Sequence, residues 1–117
     1  MEKAEIELET KKINKAKFEE AAYLLRALAN ETRLCVILQL SQTAEKSVSE
    51  LMEGMDCEQS LLSHHLTDMR AKGLLSCRRS GKNSFYSLKD RRVINILRCV
   101  MHCSGTDVIT DIGRKLN

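Results

Sequence analysis

Residues 47–73 read SVSELMEGMDCEQSLLSHHLTDMRAKG, and this stretch decides the fold. Ser47 and Glu50 stand at the spacing of a capping box, in which hydroxyl and carboxylate satisfy each other's backbone donors. A short helix over Val48–Glu53 follows, ended by Gly54 as C-cap. Met55-Asp56-Cys57 makes a turn, with Cys57 where an apolar plug would pack. A longer helix then runs from about Glu58 to Lys72 and stops at Gly73. Leu62, Leu66 and Met69 share its inward face, while Gln59, Ser60, Ser63, His64 and Thr67 project the other way. A short helix, a tight turn and a longer helix make a helix-turn-helix.

Downstream the period changes. Leu74–Arg78 and Ser84–Leu88 are strand-like runs, and Arg79-Ser80-Gly81-Lys82-Asn83 joins them as a basic, glycine-containing turn. Asp90 then caps a last helix with Val93, Ile94, Leu97, Val100 and Met101 at helical spacing. Upstream, Phe18, Ala21, Ala22, Leu25, Leu28 and Ala29 mark a first helix from Ala16 to about Ala29. Asn30 caps a second helix, Glu31 to about Gln42, with Leu34, Ile37, Leu38 and Cys35 inward. Thr43–Lys46 is a polar connection. The fold class is mainly α with a small β-hairpin wing: helix, helix, short helix, recognition helix, two strands, helix. Residues 1–15 form an arm or helix extension and residues 16–117 the winged domain; Val108, Ile109 and Ile112 suit one or two more helical turns.

Composition agrees. The 117 residues suffice for one domain. Aromatics are 3% and proline is absent, so the core must rest on aliphatic side chains carried by helices. No run approaches the roughly eighteen apolar residues of a membrane span. The opening MEKAEIELETKK lacks the apolar segment of an export signal, so a cytoplasmic setting is expected, with its five cysteines as thiols or ligands and not disulfides.

Charge is unevenly placed. Residues 57–92 hold eight basic and three acidic residues, whereas residues 1–56 hold eight and eleven. A local basic surface suits phosphates. Amide, hydroxyl and imidazole groups at Gln59, Ser60, Ser63, His64 and Thr67 both donate and accept, as reading base edges requires. Arg70 and Lys72 flank that face. Arg78, Arg79, Lys82 and Asn83 sit around the wing turn, where they reach backbone phosphates or the minor groove. Double-stranded DNA is the expected partner. The first and last helices carry apolar residues beyond what one core needs, so a homodimer is expected too.

Three segments resemble the arsenic-repressor (ArsR/SmtB) family: Ala27–Leu34, Gln59–Leu66, and Lys72–Leu75 with the wing ending Phe85-Tyr86-Ser87-Leu88. The resemblance spans about residues 18–103. It implies a winged-helix repressor, dimeric through its first and last helices, that leaves its operator when an effector binds. It also implies DNA contacts at Gln59, Ser60, Ser63 and His64.

The effector is less legible. Ser49–Met55 has no cysteine where some members of that family bind metal, and Asp90-Arg91-Arg92 lacks the histidine of their last-helix zinc site. Cys35 lies about three residues early for the paired cysteines of persulfide sensors. Cys99 and Cys103 share one helical face with His102 between them, and make a thiophilic-metal or thiol-redox site or small residues packed at a dimer interface. Cys35 and Cys57 read as core, Cys77 faces either way on the first wing strand, and of His64 and His65 only one can face DNA. A winged helix used for protein contact is the alternative reading. An enzyme is not expected, because no nucleophile with a base, phosphate loop or paired carboxylates is visible.

Overall fold

Asn14 opens the first helix by accepting a hydrogen bond from the Lys17 amide at 3.2 Å, so the chain turns helical at Lys15. The computed structural model describes residues 13–102. The expected arm up to residue 12, the C-terminal helical turns and Cys103 lie outside the described residues. The elements are α1 (Lys15–Leu28), α2 (Glu31–Ser41), β1 (Lys46–Ser47), α3 (Val48–Glu53), α4 (Gln59–Ala71), β2 (Leu75–Ser80), β3 (Asn83–Leu88) and α5 (Arg92–His102).

The local signals act as expected. The Asn30 side chain accepts from the Arg33 amide at the head of α2. At α3 both halves of the capping box form, Ser47 N to Glu50 Oε1 and Glu50 N to Ser47 Oγ. At the end of α4, Gly73 N donates to Arg70 O and Leu74 N to Met69 O, a Schellman motif. Gly73 adopts φ +80° to make it, a conformation costly to residues with a Cβ.

Two expectations need correction. Lys46, read as part of a polar connection, belongs with Ser47 to a short strand whose partners are Tyr86 and Phe85. The wing is therefore a three-stranded antiparallel sheet in the order β1-β3-β2. Two residues carry no alternation, so β1 exists only because β3 offers it an edge. The connecting turn is also tighter than expected. Ser80 pairs with Asn83, leaving Gly81 and Lys82 as a two-residue loop. Gly81 has φ +63° and Lys82 has no positive φ, the pattern of a type II′ hairpin turn.

The core is aliphatic. Val36, Ile37 and Leu40 of α2 meet Leu51 of α3, Leu62, Leu66 and Met69 of α4, Leu75 of β2 and Val93 of α5. On α1 the buried residues are Leu24, Ala27 and Leu28, whereas Phe18 and Leu25 from the expected apolar stripe face solvent. Gln39 is buried among these residues and ties three elements together. Its Nε2 donates to Leu51 O at 3.2 Å, and its Oε1 accepts from Lys46 Nζ at 2.9 Å. Gly54 ends α3 at φ −98°, so it is not required for a left-handed cap. Space is the tighter constraint, because a Cβ there would lie 3.0 Å from the Gln39 amide atoms, which are held by their own hydrogen bonds.

Gly54→Ala is expected to destabilise the protein by about 1–3 kcal/mol through overpacking. In a Gln39→Ala background the same change is expected to cost much less. Urea titration of the four proteins measures the coupling.

Candidate nucleic-acid interface

Helix α4 presents two chemically distinct faces. Leu62, His65, Leu66 and Met69 are buried, while Gln59, Ser60, Leu61, His64, Thr67 and Arg70 are exposed and Ser63 is half-buried. The structure thus brings the six α4 residues singled out from the sequence onto one outward surface. The adjacent histidines separate, with His64 outside and His65 9% exposed within. Glu58, the N-cap residue, makes no side-chain capping bond, so it leaves the first-turn N–H groups uncovered beside Gln59 and Ser60.

One guanidinium braces the inner side of α4 from a neighbouring helix. Arg33 of α2 donates from Nε to His65 Nδ1 at 2.9 Å and from Nη1 to Ala27 O at 3.1 Å. Its Nη2 lies 2.7 Å from Asp68 Oδ2, which also pairs with Lys72. The end of α1, the start of α2 and the middle of α4 therefore meet on one side chain. Lys72 flanks the groove in the sequence but is committed to Asp68 here.

Arg79, Lys82 and Asn83 are exposed at the end of the hairpin. Arg78 is exposed as well, yet it has partners within the protein. It pairs with Glu45 through Nη2 and Nε, and its guanidinium stacks 4.7 Å from the Phe85 ring centroid. This contact lowers the Glu45 carboxyl and raises the Arg78 guanidinium from their usual pKa ranges. Burial above all, and then the Cys77 thiol, push the Tyr86 phenol up, while Arg70 and Arg79 pull it down. Arg70 of α4 and Arg79 of the wing are thus both near enough to Tyr86 for their charges to act on it. Both arginines are exposed, one on α4 and one on the hairpin.

Residues 30–76, which span α2 to the start of β2, match the bacterial regulatory protein, arsR family. The chain is 35% identical over 89 residues to the HTH-type transcriptional repressor SmtB of Mycobacterium tuberculosis, covering 76% of this chain and 65% of that protein. It is 39% identical over 74 residues to the transcriptional activator HlyU of Vibrio cholerae, covering 63% and 68%. The chain belongs to the arsR family.

In three dimensions it is similar to HlyU from Vibrio cholerae, with a TM-score of 0.68 at 32% identity over 77% of this chain and 97% of that one. It is similar also to the AntR antimony-specific transcriptional repressor, at TM-score 0.72 and 26% identity over 77% and 81%. These relatives are named as transcriptional regulators, and the chain shares their winged-helix fold. Its length spans just under two thirds of the mycobacterial SmtB.

The candidate sensor residues stand apart from this surface. Cys99 and His102 are exposed on α5. Among the described residues, no three His, Cys, Asp or Glu side chains come close enough together to hold a metal ion. At the head of α5, Asp90 is occupied: its carboxylate accepts from the Arg92 amide and guanidinium, and Arg92 reaches on to Glu20 of α1. The sequence reading missed that Cys35 and Cys57 line one cavity of about 200 Å³ between α2 and the helix-turn-helix turn. Cys35 Sγ lies 3.7 Å from Gly54 O. Half-burial of both thiols replaces the core position expected for Cys35.

His65 gives the assembly a pH dependence. Burial above all, and then the Arg33 charge, lower its pKa from the usual 6.5. The stability due to neutral His65 is therefore complete above about pH 6.5 and falls as acidification protonates first the unfolded chain, then the folded one. The midpoint of thermal unfolding is expected to drop between about pH 7 and 5. In His65→Asn, whose Oδ1 falls near the Nδ1 position but does not titrate, that drop is expected to shrink.

Proposed function

We propose that this chain is a homodimeric repressor that binds operator DNA through α4 and the wing. The observation that carries the reading is the outward face of α4. Gln59, Ser60, Ser63, His64 and Thr67 offer donors and acceptors there without a single acidic side chain. Arg70 continues this face toward the hairpin, where Arg79, Lys82 and Asn83 stand ready for phosphates. Arg78 contributes a phosphate contact once it leaves Glu45, a surface ion pair worth little in water.

Dimerisation is supported by apolar side chains that one protomer leaves uncovered. Phe18 is 58% exposed, Val100 69% exposed, and Ile13 and Leu25 are exposed as well. They lie on α1, on α5 and just ahead of α1, the elements assigned to the dimer interface. Two copies joined there present their α4 helices to half-sites about 34 Å apart, one turn of the duplex. Release is assigned to a thiol-directed signal, a thiophilic metal or metalloid or an oxidant, for which the exposed thiol of Cys99 is the accessible target. SmtB is named as a transcriptional repressor, AntR as an antimony-specific one, and HlyU as an activator. Repression is the sense proposed here.

Affinity for the duplex upstream of the gene is expected to fall about a thousandfold between roughly 50 and 200 mM salt, as for six released counterions. Ser63→Ala and His64→Ala are each expected to lose about 1–3 kcal/mol of discrimination against altered operators while keeping non-specific binding. Competition titrations by fluorescence anisotropy read both. Indifference to the upstream duplex at low salt, together with nuclease-resistant capture of a protein, would favour the protein-contact reading instead.

Phe18→Glu is expected to convert the dimer to monomer in analytical ultracentrifugation. It should weaken operator binding at least tenfold, since a monomer reads one half-site.

A further inference from the structure

Among the described residues six large apolar side chains are markedly exposed, and five of them (Ile13, Phe18, Tyr23, Leu25 and Val100) belong to α1, α5 or the residue leading into α1. The sixth, Leu61, stands alone in the first turn of α4, between Ser60 and the Ser63-His64 pair, and is 45% exposed. A dimer built on α1 and α5 does not call on it. Over the first three turns its neighbours sort by chemistry: the other exposed residues, Gln59, Ser60, His64, Thr67 and Arg70, are polar, and Leu62 is fully buried.

We propose that Leu61 is a specificity-determining residue that packs on the 5-methyl group of a thymine in the operator. This rests on the DNA-binding reading of α4. The thymine methyl is the one apolar feature that a base edge displays in the major groove, and an aliphatic side chain is its natural complement. The first turn of a recognition helix is the part that reaches base edges. Gln59, Ser60 and His64 around it can read donors and acceptors but cannot distinguish thymine from uracil, which differ only by that methyl. Burying the remaining leucine surface against the methyl contributes about fivefold to affinity per half-site.

The test begins with selection of duplexes from a random-sequence library by the full-length protein, which yields its operator. Each thymine in that operator is then replaced in turn by uracil. The expected result is that one thymine per half-site loses about fivefold in affinity on replacement, and that Leu61→Ala binds the thymine and uracil duplexes alike. Leu61 is exposed, so the variant is expected to fold, and an unchanged thermal midpoint checks this. Wild-type protein alone suffices to overturn the proposal: if uracil at every position leaves affinity unchanged, no thymine methyl is read. Equal losses in wild type and Leu61→Ala would assign the methyl to another side chain. Recovery of no duplex at all would instead overturn the DNA-binding reading, and this inference with it.

Discussion

The Arg33 guanidinium is the contact on which the placement of the recognition helix depends. It joins Ala27 O at the end of α1, His65 Nδ1 and the Asp68 carboxylate. Arginine suits this task because its planar fork carries several donors in fixed directions and stays charged. His65 is buried and Arg33 is 12% exposed, whereas Asp68 is partly open to water; on the buried side an unmade hydrogen bond is costly, so the partners constrain one another. With His65 and Asp68 held on the inner side of α4, helical geometry leaves Ser60, His64 and Thr67 outside. The half-buried Arg33 side chain thus reinforces from another helix the orientation that the inward set Leu62, Leu66 and Met69 favours.

A second polar tie works at the other end of the helix-turn-helix. The Gln39 amide bridges Leu51 O in α3 and Lys46 Nζ in β1. It joins α2 to α3 and to the sheet, and Gly54 leaves the room for it. Buried polar groups of this kind are costly unless fully partnered, and then they fix one arrangement against its alternatives. The aliphatic core of α2, α3 and α4 would tolerate small slides. Arg33 and Gln39 do not, and together they hold α4 at a set orientation beside the wing.

Charge on the outer surface is divided between structure and readiness. Arg78 is held by Glu45 and Phe85, Arg92 by Asp90 and Glu20, and Lys72 by Asp68. Arg70, Arg79 and Lys82 extend from the helix and hairpin into solvent. The ion pairs among exposed groups contribute little stability, so exchanging a carboxylate for a phosphate costs little. The apolar surface is divided in the same way. Phe18, Leu25 and Val100 lie on the side assigned to a second copy, and Leu61 lies alone on the side assigned to DNA.

What the sequence determined by itself was local. The Asn30 cap, the Ser47–Glu50 box, the glycine after α4 and the inward set Leu62, Leu66 and Met69 involve residues a few positions apart, so spacing alone exposes them. The order of elements, and with it the outward polar face of α4, follows from those signals. Tertiary structure decided the rest: the strand at Lys46–Ser47, the buried amide of Gln39, the hold of Arg33 on His65, and the pairing of Arg78 with Glu45. Most of these join residues far apart in the chain, and no periodicity encodes which distant partner an arginine or a glutamine will find. Their choice waits on the packed core, because only there does burial make an unpartnered polar group expensive enough to select a single arrangement.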